Sequence, residues 1–460
     1  MRRWHLALWV CGLTACSQGE TAVDAGPQPT LTRAEILDPL TCKACHPGHY
    51  KEWSGSMHAY AAEDPVFLAM NQRGQRETNG ELGDFCVTCH APVALMEGLT
   101  TDGLNMAEVP AYAKGVTCAF CHLVEEVQGT HNAQLGLADD LVMRGAYADP
   151  VPNTGHASAY SKLHDKTQIE SSDLCGTCHD IVTPRGVHLE RTFLEWKSSL
   201  FAHDVPGERQ TCGDCHMKGR TGTAADAPGV KLRRIHDHRM VGVDVALTPF
   251  PEMEDQRRQI QRELNTTVLS KLCVDQSDGE VVLSAELENM AAGHSWPSGA
   301  SHDRRAWIEV IAFDEQGRQL FSSGVVEEGQ PLVDIVDPQL WRLGDFAYDE
   351  NGEKAHFFWE IASYDSLLLP PPNHLHQDDE TEELSPHLKH EYRFAGEQRP
   401  ARVTFRTRIR AMGLDVLDEL IDSGDLDPAV RDRIPTFDLG ATILEWNRSE
   451  GIDCVPDVDH

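Results

Sequence analysis

The sequence predicts a mixed fold in two parts. The first is mainly helix and loop and packs around bound groups. The second is an antiparallel β-sandwich followed by a short helical C-terminal tail. Three observations lead there. Ten of the 14 cysteines stand in five Cys-x-x-Cys-His patterns between Cys42 and His216. Over residues 31–245 long apolar periods are scarce, so side chains alone do not supply a core. From residue 266 onward apolar and polar residues alternate in runs bounded by turn signals. A chain of 460 residues has room for two or three such units.

Taken in order, residues 1–15 read as an export signal. Arg2 and Arg3 give a basic start, and Trp4 to Leu13 a short apolar stretch. Leu13-Thr14-Ala15-Cys16 resembles the lipobox of bacterial lipoproteins. That resemblance implies cleavage before Cys16, a lipid on Cys16, and, with Ser17 next, sorting to the outer membrane. Residues 16–30 then read as a flexible tether. No run of about 18 apolar residues occurs, so the lipid is the expected membrane contact.

Residues 31–245 carry the five patterns: Cys42/Cys45/His46, Cys86/Cys89/His90, Cys118/Cys121/His122, Cys175/Cys178/His179 and Cys212/Cys215/His216. Cys-x-x-Cys-His is the attachment sequence of c-type haem. Thiols three positions apart lie one turn apart and reach the two vinyl groups on one porphyrin edge. The next histidine then comes under the iron as proximal ligand. Zinc sites also use Cys-x-x-Cys pairs, but need them to meet two by two, and five is odd. Local disulfides leave the constant histidine unexplained. Five c-type haems, with their iron, are therefore expected, the porphyrins filling much of the core. Of the other cysteines, Cys11 leaves with the signal. Cys273 and Cys454 remain, and are expected to pair in a compartment that allows disulfides.

The sixth position on each iron separates electron transfer from catalysis, because a second protein ligand closes the site to substrate. Nine histidines between Thr41 and Met240 remain beyond the proximal five. His58, twelve residues past His46, is far enough along to present its ring to another haem, whereas His49 is expected to pack near its own. His131 lies in a polar, glycine-bearing loop unsuited to core packing. His156 and His164 are eight apart and share a face if helical; one of them is expected to ligate, His164 having the better reach. His238 is a further candidate, in competition with His236. His188 and His203 read as surface residues.

At this point the stretch CHPGHYKEWSGSMHAYA resembles the C-x-x-C-H…W-x-x-S-x-H-A signature of multihaem cytochromes c. That group includes the tetrahaem electron carrier of ammonia oxidisers, hydroxylamine oxidoreductase and octahaem tetrathionate reductase. W-x-x-S-x-H falls on Trp53, Ser56 and His58, and the resemblance implies that His58 is an axial ligand. LCGTCHD at Leu174–Asp180, TCGDCHM at Thr211–Met217 and HDHRMVG at His236–Gly242 extend it over residues 40 to 245. It implies the haem fold and leaves the reaction open.

Residues 246–265 read as a helical connector. Residues 266–410 read as the sandwich: EVVLSAELEN, RAWIEVIAFDEQGRQLFSSG and ARVTFRTRIR are strand patterns. In the last, Val403, Phe405, Thr407 and Ile409 form one buried face. Asp314 to Gly317 supplies a hairpin turn. AAGHSWPSG resembles the G-H-x-x-P-T-G segment of β-domains that follow haem domains. His294 within it is a candidate distal ligand, or holds its loop by hydrogen bonds. The histidine-rich, acidic run 373–390 reads as a solvated loop. In the acidic tail 411–460, Leu414, Leu417 and Ile421 mark a helix ending at Gly424, and Asp427-Pro428 opens another.

A formal charge of −33 disfavours nucleic acid and anionic lipid surfaces and fits redox protein partners with a basic docking face. The expected function is electron transfer in the cell envelope, with the chain lipid-anchored at the outer membrane, on its periplasmic or surface face. One alternative is an oxidoreductase that reduces a small nitrogen or sulfur oxyanion at one open haem. The other is a surface binding protein acting through the β part.

Overall fold

A computed structural model describes residues 27–203, 207, 209–372 and 387–456. The leader, Cys16 and most of the 373–390 run lie outside the described residues. Among those described, no helix is long and apolar enough to cross a membrane.

The N-terminal part is a string of short helices and two-stranded ribbons. Thr32 opens the first helix, Arg33–Leu37, with a capping box: its side chain accepts from Glu35 N–H while Glu35 reaches back to the Thr32 N–H. Most of its other helices are four to eight residues long; Pro65–Glu77 is the longest at 13. Helices this short do not hold by propensity. They are pinned by side-chain caps, such as Asp64 on Val66 N–H and Thr117 on Phe120 N–H, and by one apolar cluster. That cluster runs through Ile36, Leu37, Phe67, Val87, Val93 and Phe120.

Helix Met253–Thr267 connects the two parts, later and longer at its C-terminal end than the sequence indicates. It buries Ile260 and Leu264 beneath the sheets that follow. One antiparallel sheet orders its strands His387–Ala395, Glu280–Asn289, Val268–Ser277 and Cys454–Val455. The other runs Ser363–Leu367, Arg342–Tyr348, Arg305–Phe313, Arg402–Arg410, Thr436–Asp438. Gln319–Ser323 and Leu444–Asn447 pair onto it as well. Leu272, Leu283 and Leu287 from the first sheet and Ile308, Val310 and Phe405 from the second belong to one buried cluster. The alternation is visible in Arg402–Arg410, where Val403, Phe405, Thr407 and Ile409 are buried and Arg402, Thr404, Arg406 and Arg408 are half-buried, until Arg410 ends it by being buried too.

The tail departs from its sequence reading. Leu414–Asp422 is helical, Gly424 follows in the left-handed region, and Asp427 caps the 3-10 turn Pro428–Arg433. The chain then returns as three short strands that complete both sheets, so 411–460 is not a separate helical unit. Strands of two to four residues are too short to show a period-two pattern. The last of them pairs Cys454 against Cys273, and the two are joined by a disulfide bond.

Candidate functional site

In each motif the first cysteine and the histidine are four residues apart along one helical turn. His46, His90 and His179 donate their backbone N–H to the carbonyls of Cys42, Cys86 and Cys175 at 2.8, 3.2 and 3.1 Å. All ten motif cysteines are free thiols, and none is fully buried by surface area; Cys45 is exposed.

The imidazoles fit metal ligation in a specific way. His46 Nδ1 hydrogen-bonds to the Ala224 carbonyl at 2.7 Å, His90 Nδ1 to that of Ala61 at 3.0 Å, and His216 Nδ1 to that of Val241 at 2.7 Å. His122 Nδ1 bonds the Arg144 carbonyl. A carbonyl only accepts, so Nδ1 carries the proton and Nε2 keeps its lone pair for a metal. Burial lowers the pKa of His46, His90, His122 and His179, which keeps each ring neutral near pH 7.

Second histidines lie beside four of these rings, and His46 has His49 at 6.2 Å in addition to His156. The His46–His156 centroids are 6.2 Å apart, His179–His58 6.1 Å and His216–His294 6.4 Å. Two imidazoles sharing one metal, each bonded at about 2.0–2.1 Å, would have centroids about 6 Å apart. His58 and His294 are pushed down to about 4, first by burial, and so are also neutral. His156 Nδ1 is held by the Ala157 carbonyl and His294 Nδ1 by that of Ser295, again leaving Nε2 free.

The Trp-x-x-Ser-x-His run positions His58 through its neighbours. Trp53 Nε1 donates to the Val116 carbonyl, and Val116 N–H donates to the His58 carbonyl, both at 2.8 Å. Ser56 caps the helix Met57–Tyr60 that carries His58. Gly115 has φ +73°, and a Cβ there would lie 2.6 Å from the His58 carbonyl oxygen. Only glycine lets the segment before the third motif come this close.

His294 arrives from the β part. Asn289 Nδ2 donates to its carbonyl at 2.8 Å. Ser298, further along the loop, donates to Glu195 at 2.6 Å and bonds Thr192 Oγ1 at 2.8 Å. Helix Thr192–Lys197 of the N-terminal part thus holds the loop.

The remaining histidines are placed differently. His156 and His164 do not share a helical face. Residues 158–160 form a strand that pairs in parallel with Met143–Gly145, and His164 ends a 3-10 turn. His164 stacks on His122 at 5.4 Å; its Nε2 donates to the Cys121 carbonyl, and its buried Nδ1 has no partner. His131 meets His188 at 6.0 Å rather than a proximal ring. His238 packs on His49 at 4.6 Å, and with Glu52 these two place three possible ligand atoms within 4.8 Å of one another. Glu52 is already engaged, by Arg220 at 2.7 Å and by the His238 backbone N–H at 3.2 Å. The ring stacked on His90 is Phe67, at 4.3 Å and 4°.

The motifs approach one another through their sulfurs. Thiols of Cys42 and Cys118, of Cys89 and Cys178, and of Cys175 and Cys212 lie near enough to shift one another's ionisation. Cys121 and Cys178 also interact electrostatically, and burial pushes the Cys121 thiol up to about 12. The attachment points therefore form one connected set: first to third, third to fourth, and fourth to both second and fifth.

Residues 41–123 match the family described as "Cytochrome c554 and c-prime". The fold is similar to that of a penta-heme cytochrome c552 from Thermochromatium tepidum, with a TM-score of 0.61 at 19% identity, over 90% of this chain and 99% of that one. The match and the fold likeness point the same way as the five motifs. No curated protein matches this chain. Coverage of 90% means that the similarity of this chain to that structure takes in β-sheet as well as the motif region.

Proposed function

We propose that this chain carries five covalently bound haems and passes electrons through them in the cell envelope, anchored at the outer membrane by lipid on Cys16. Haem iron, when bound, supplies one-electron chemistry between its ferrous and ferric states. The observation that carries the reading is the sulfur connectivity: attachment points this close would put neighbouring groups in electronic contact. His46, His90, His122, His179 and His216 serve as proximal ligands. His156, His58 and His294 serve as distal ligands opposite His46, His179 and His216. His90 and His294, neutral and with Nδ1 tied to a backbone carbonyl, need little rearrangement when charge arrives. His164 pairs with His122 at a shorter 5.4 Å, while His131 and His238 meet His188 and His49 rather than a proximal ring. The two sheets sharing one buried cluster support a β-sandwich.

The test is the mass and spin-state spectrum of mature protein made in a host competent for cytochrome maturation. Five haem additions with mostly six-coordinate low-spin iron are expected. Colourless protein at the mass of its peptide plus lipid would end the proposal.

One observation favours a second reading, reduction of a small nitrogen or sulfur oxyanion. His90 is stacked by Phe67, and among the described residues no imidazole pairs with its ring. Carbon monoxide, cyanide or nitrite added to the reduced protein would shift the Soret band if the second iron is open. An unmoved band rejects the reductase.

A further inference from the structure

Two carboxylates inside the β part have no basic partner. Asp303 is 1% exposed and Asp345 5%, and the Oδ1 atom of each meets no donor. Among the described residues, no lysine or arginine lies within ion-pair reach of either. The guanidiniums next along the chain are committed elsewhere: Arg304 holds Asp244 through both oxygens, and Arg305 holds Asp415. His302 lies beside Asp303, with Nε2 3.4 Å from Oδ2. Its ring is 4% exposed, and neither of its nitrogens has a hydrogen-bond partner. Burial pushes its pKa below the ordinary histidine range, so at pH 7 the ring is neutral and does not supply the counter-charge.

The backbone holds these side chains in place. Asp345 N–H donates to the Ser301 carbonyl at 3.4 Å, and Ser301 Oγ donates to Asp345 Oδ2, which joins the end of loop 290–304 to strand Arg342–Tyr348. Gly413 N–H donates to the Asp303 carbonyl at 2.7 Å, and Arg305 donates to the His302 carbonyl at 2.9 Å. Phe358 closes over the His302 ring edge to face at 5.3 Å. So the carboxylates cannot swing out to water. A buried charge is strongly disfavoured unless it is paired or coordinates a metal. Four unpartnered polar atoms in one buried neighbourhood, two of them on carboxylates, call for a ligand that is positive and also makes hydrogen bonds. A hydrated cation is both.

We propose that Asp303 and Asp345 bind one divalent cation of the calcium and magnesium class, with His302 hydrogen-bonded to its water. Carboxylate oxygens favour such hard cations. The three side chains do not converge as tightly as His49, Glu52 and His238, the one trio among the described residues whose ligand atoms all lie within 4.8 Å of one another. The carboxylates therefore take the metal and water fills the rest of its shell, as magnesium sites ordinarily do. The cation would fasten the end of the loop whose beginning carries His294. The site stands on the β part alone and does not depend on the electron-carrier reading.

The test uses the haem-loaded, full-length protein, stripped with EDTA, desalted and then given calcium chloride or magnesium chloride. Elemental analysis reads bound metal, and circular dichroism reads thermal unfolding. Stripping should remove one equivalent of calcium or magnesium per chain and lower the unfolding temperature by several degrees, and one of the two salts should restore both. D303N/D345N should lose the equivalent and the response. D365N, an exposed change on strand Ser363–Leu367, should keep both. Unmutated protein that retains no equivalent, and whose unfolding ignores EDTA and both salts, would overturn the site; this measurement decides even if D303N/D345N does not fold. So would metal uptake that D303N/D345N shares in full, because that is adventitious binding to an acidic surface.

Discussion

Replacing His294 with alanine tests the claim that the β part completes a centre in the N-terminal part. The His294 ring faces His216 at 6.4 Å with only 11° between planes, and its Nδ1 is tied to the Ser295 carbonyl at 2.8 Å. Burial pushes its pKa down to about 4, so at pH 7 the ring is neutral. A neutral, anchored ring with a free Nε2 is a competent ligand across the physiological range. His294→Ala removes it, and alanine offers no replacement atom. The iron at the fifth motif should become five-coordinate, so carbon monoxide uptake by the reduced protein should rise by one equivalent per chain. A high-spin ferric signal of one iron in five should appear, and millimolar imidazole should restore the low-spin spectrum. Circular dichroism should be unchanged, because the loop remains tied through Ser298 to Glu195. Unchanged carbon monoxide stoichiometry in a folded, fully loaded variant would refute the pairing. So would a high-spin signal that imidazole cannot reverse.

Three further outcomes follow from other parts of the structure. His58→Ala should likewise open one site, at the fourth motif, and Trp53→Phe should loosen it partially by releasing the Val116 carbonyl, both read by carbon monoxide titration. Cys273→Ser/Cys454→Ser removes a crosslink spanning 181 residues and should cost up to about 5 kcal/mol in denaturant unfolding, with no change in the haem spectrum. Glu195 is pushed up to about 7, chiefly by burial. Its folded form therefore holds a proton that the unfolded form releases above about pH 4.5, so its contribution to stability falls as pH rises from about 4.5 to 7 and stays lost above. Glu195→Gln should be near neutral at pH 5 and stabilising at pH 8, by up to about 3 kcal/mol; equal effects at both pH values would contradict the assignment.

Local chemistry was legible in the sequence and long-range pairing was not. The motif turns, the Thr32 capping box, the Asp314–Gly317 hairpin and the alternation through Arg402–Arg410 are all set within a few residues. So each could be read from spacing and side-chain type. The position of His156 depends instead on residues 158–160 pairing in parallel with Met143–Gly145, a contact between two three-residue strands that carry no periodic signal. Eight-residue spacing suggested a shared helical face for His156 and His164; the extended backbone at 158–160 separates them. His131 looked suited to ligation because its loop is polar, yet the loop is pinned to the fourth motif by Ala133 N–H on the Thr177 carbonyl, and its ring meets His188. The tail strands were hidden by their brevity, each formed only because a longer strand was waiting to pair.

The two parts of the chain are not independent, and this decides how the rival β-domain reading must be tested. Deleting residues 266–460 looks like a clean separation of electron transfer from binding. It also removes His294, Arg304, which grips Asp244 through both oxygens at 3.0 Å, and the cover over helix Thr192–Lys197. A truncated protein that lost electron transfer would say nothing about which part does the work. Point changes avoid the confusion. If the β part mainly binds an external partner, His294→Ala should leave that binding intact while altering one iron. If it mainly completes the haem array, the same change should alter the spectrum, and substitutions on the outward faces of its sheets should do little. The route of the chain favours the second outcome, because a loop between two strands of separate sheets reaches across to the fifth motif.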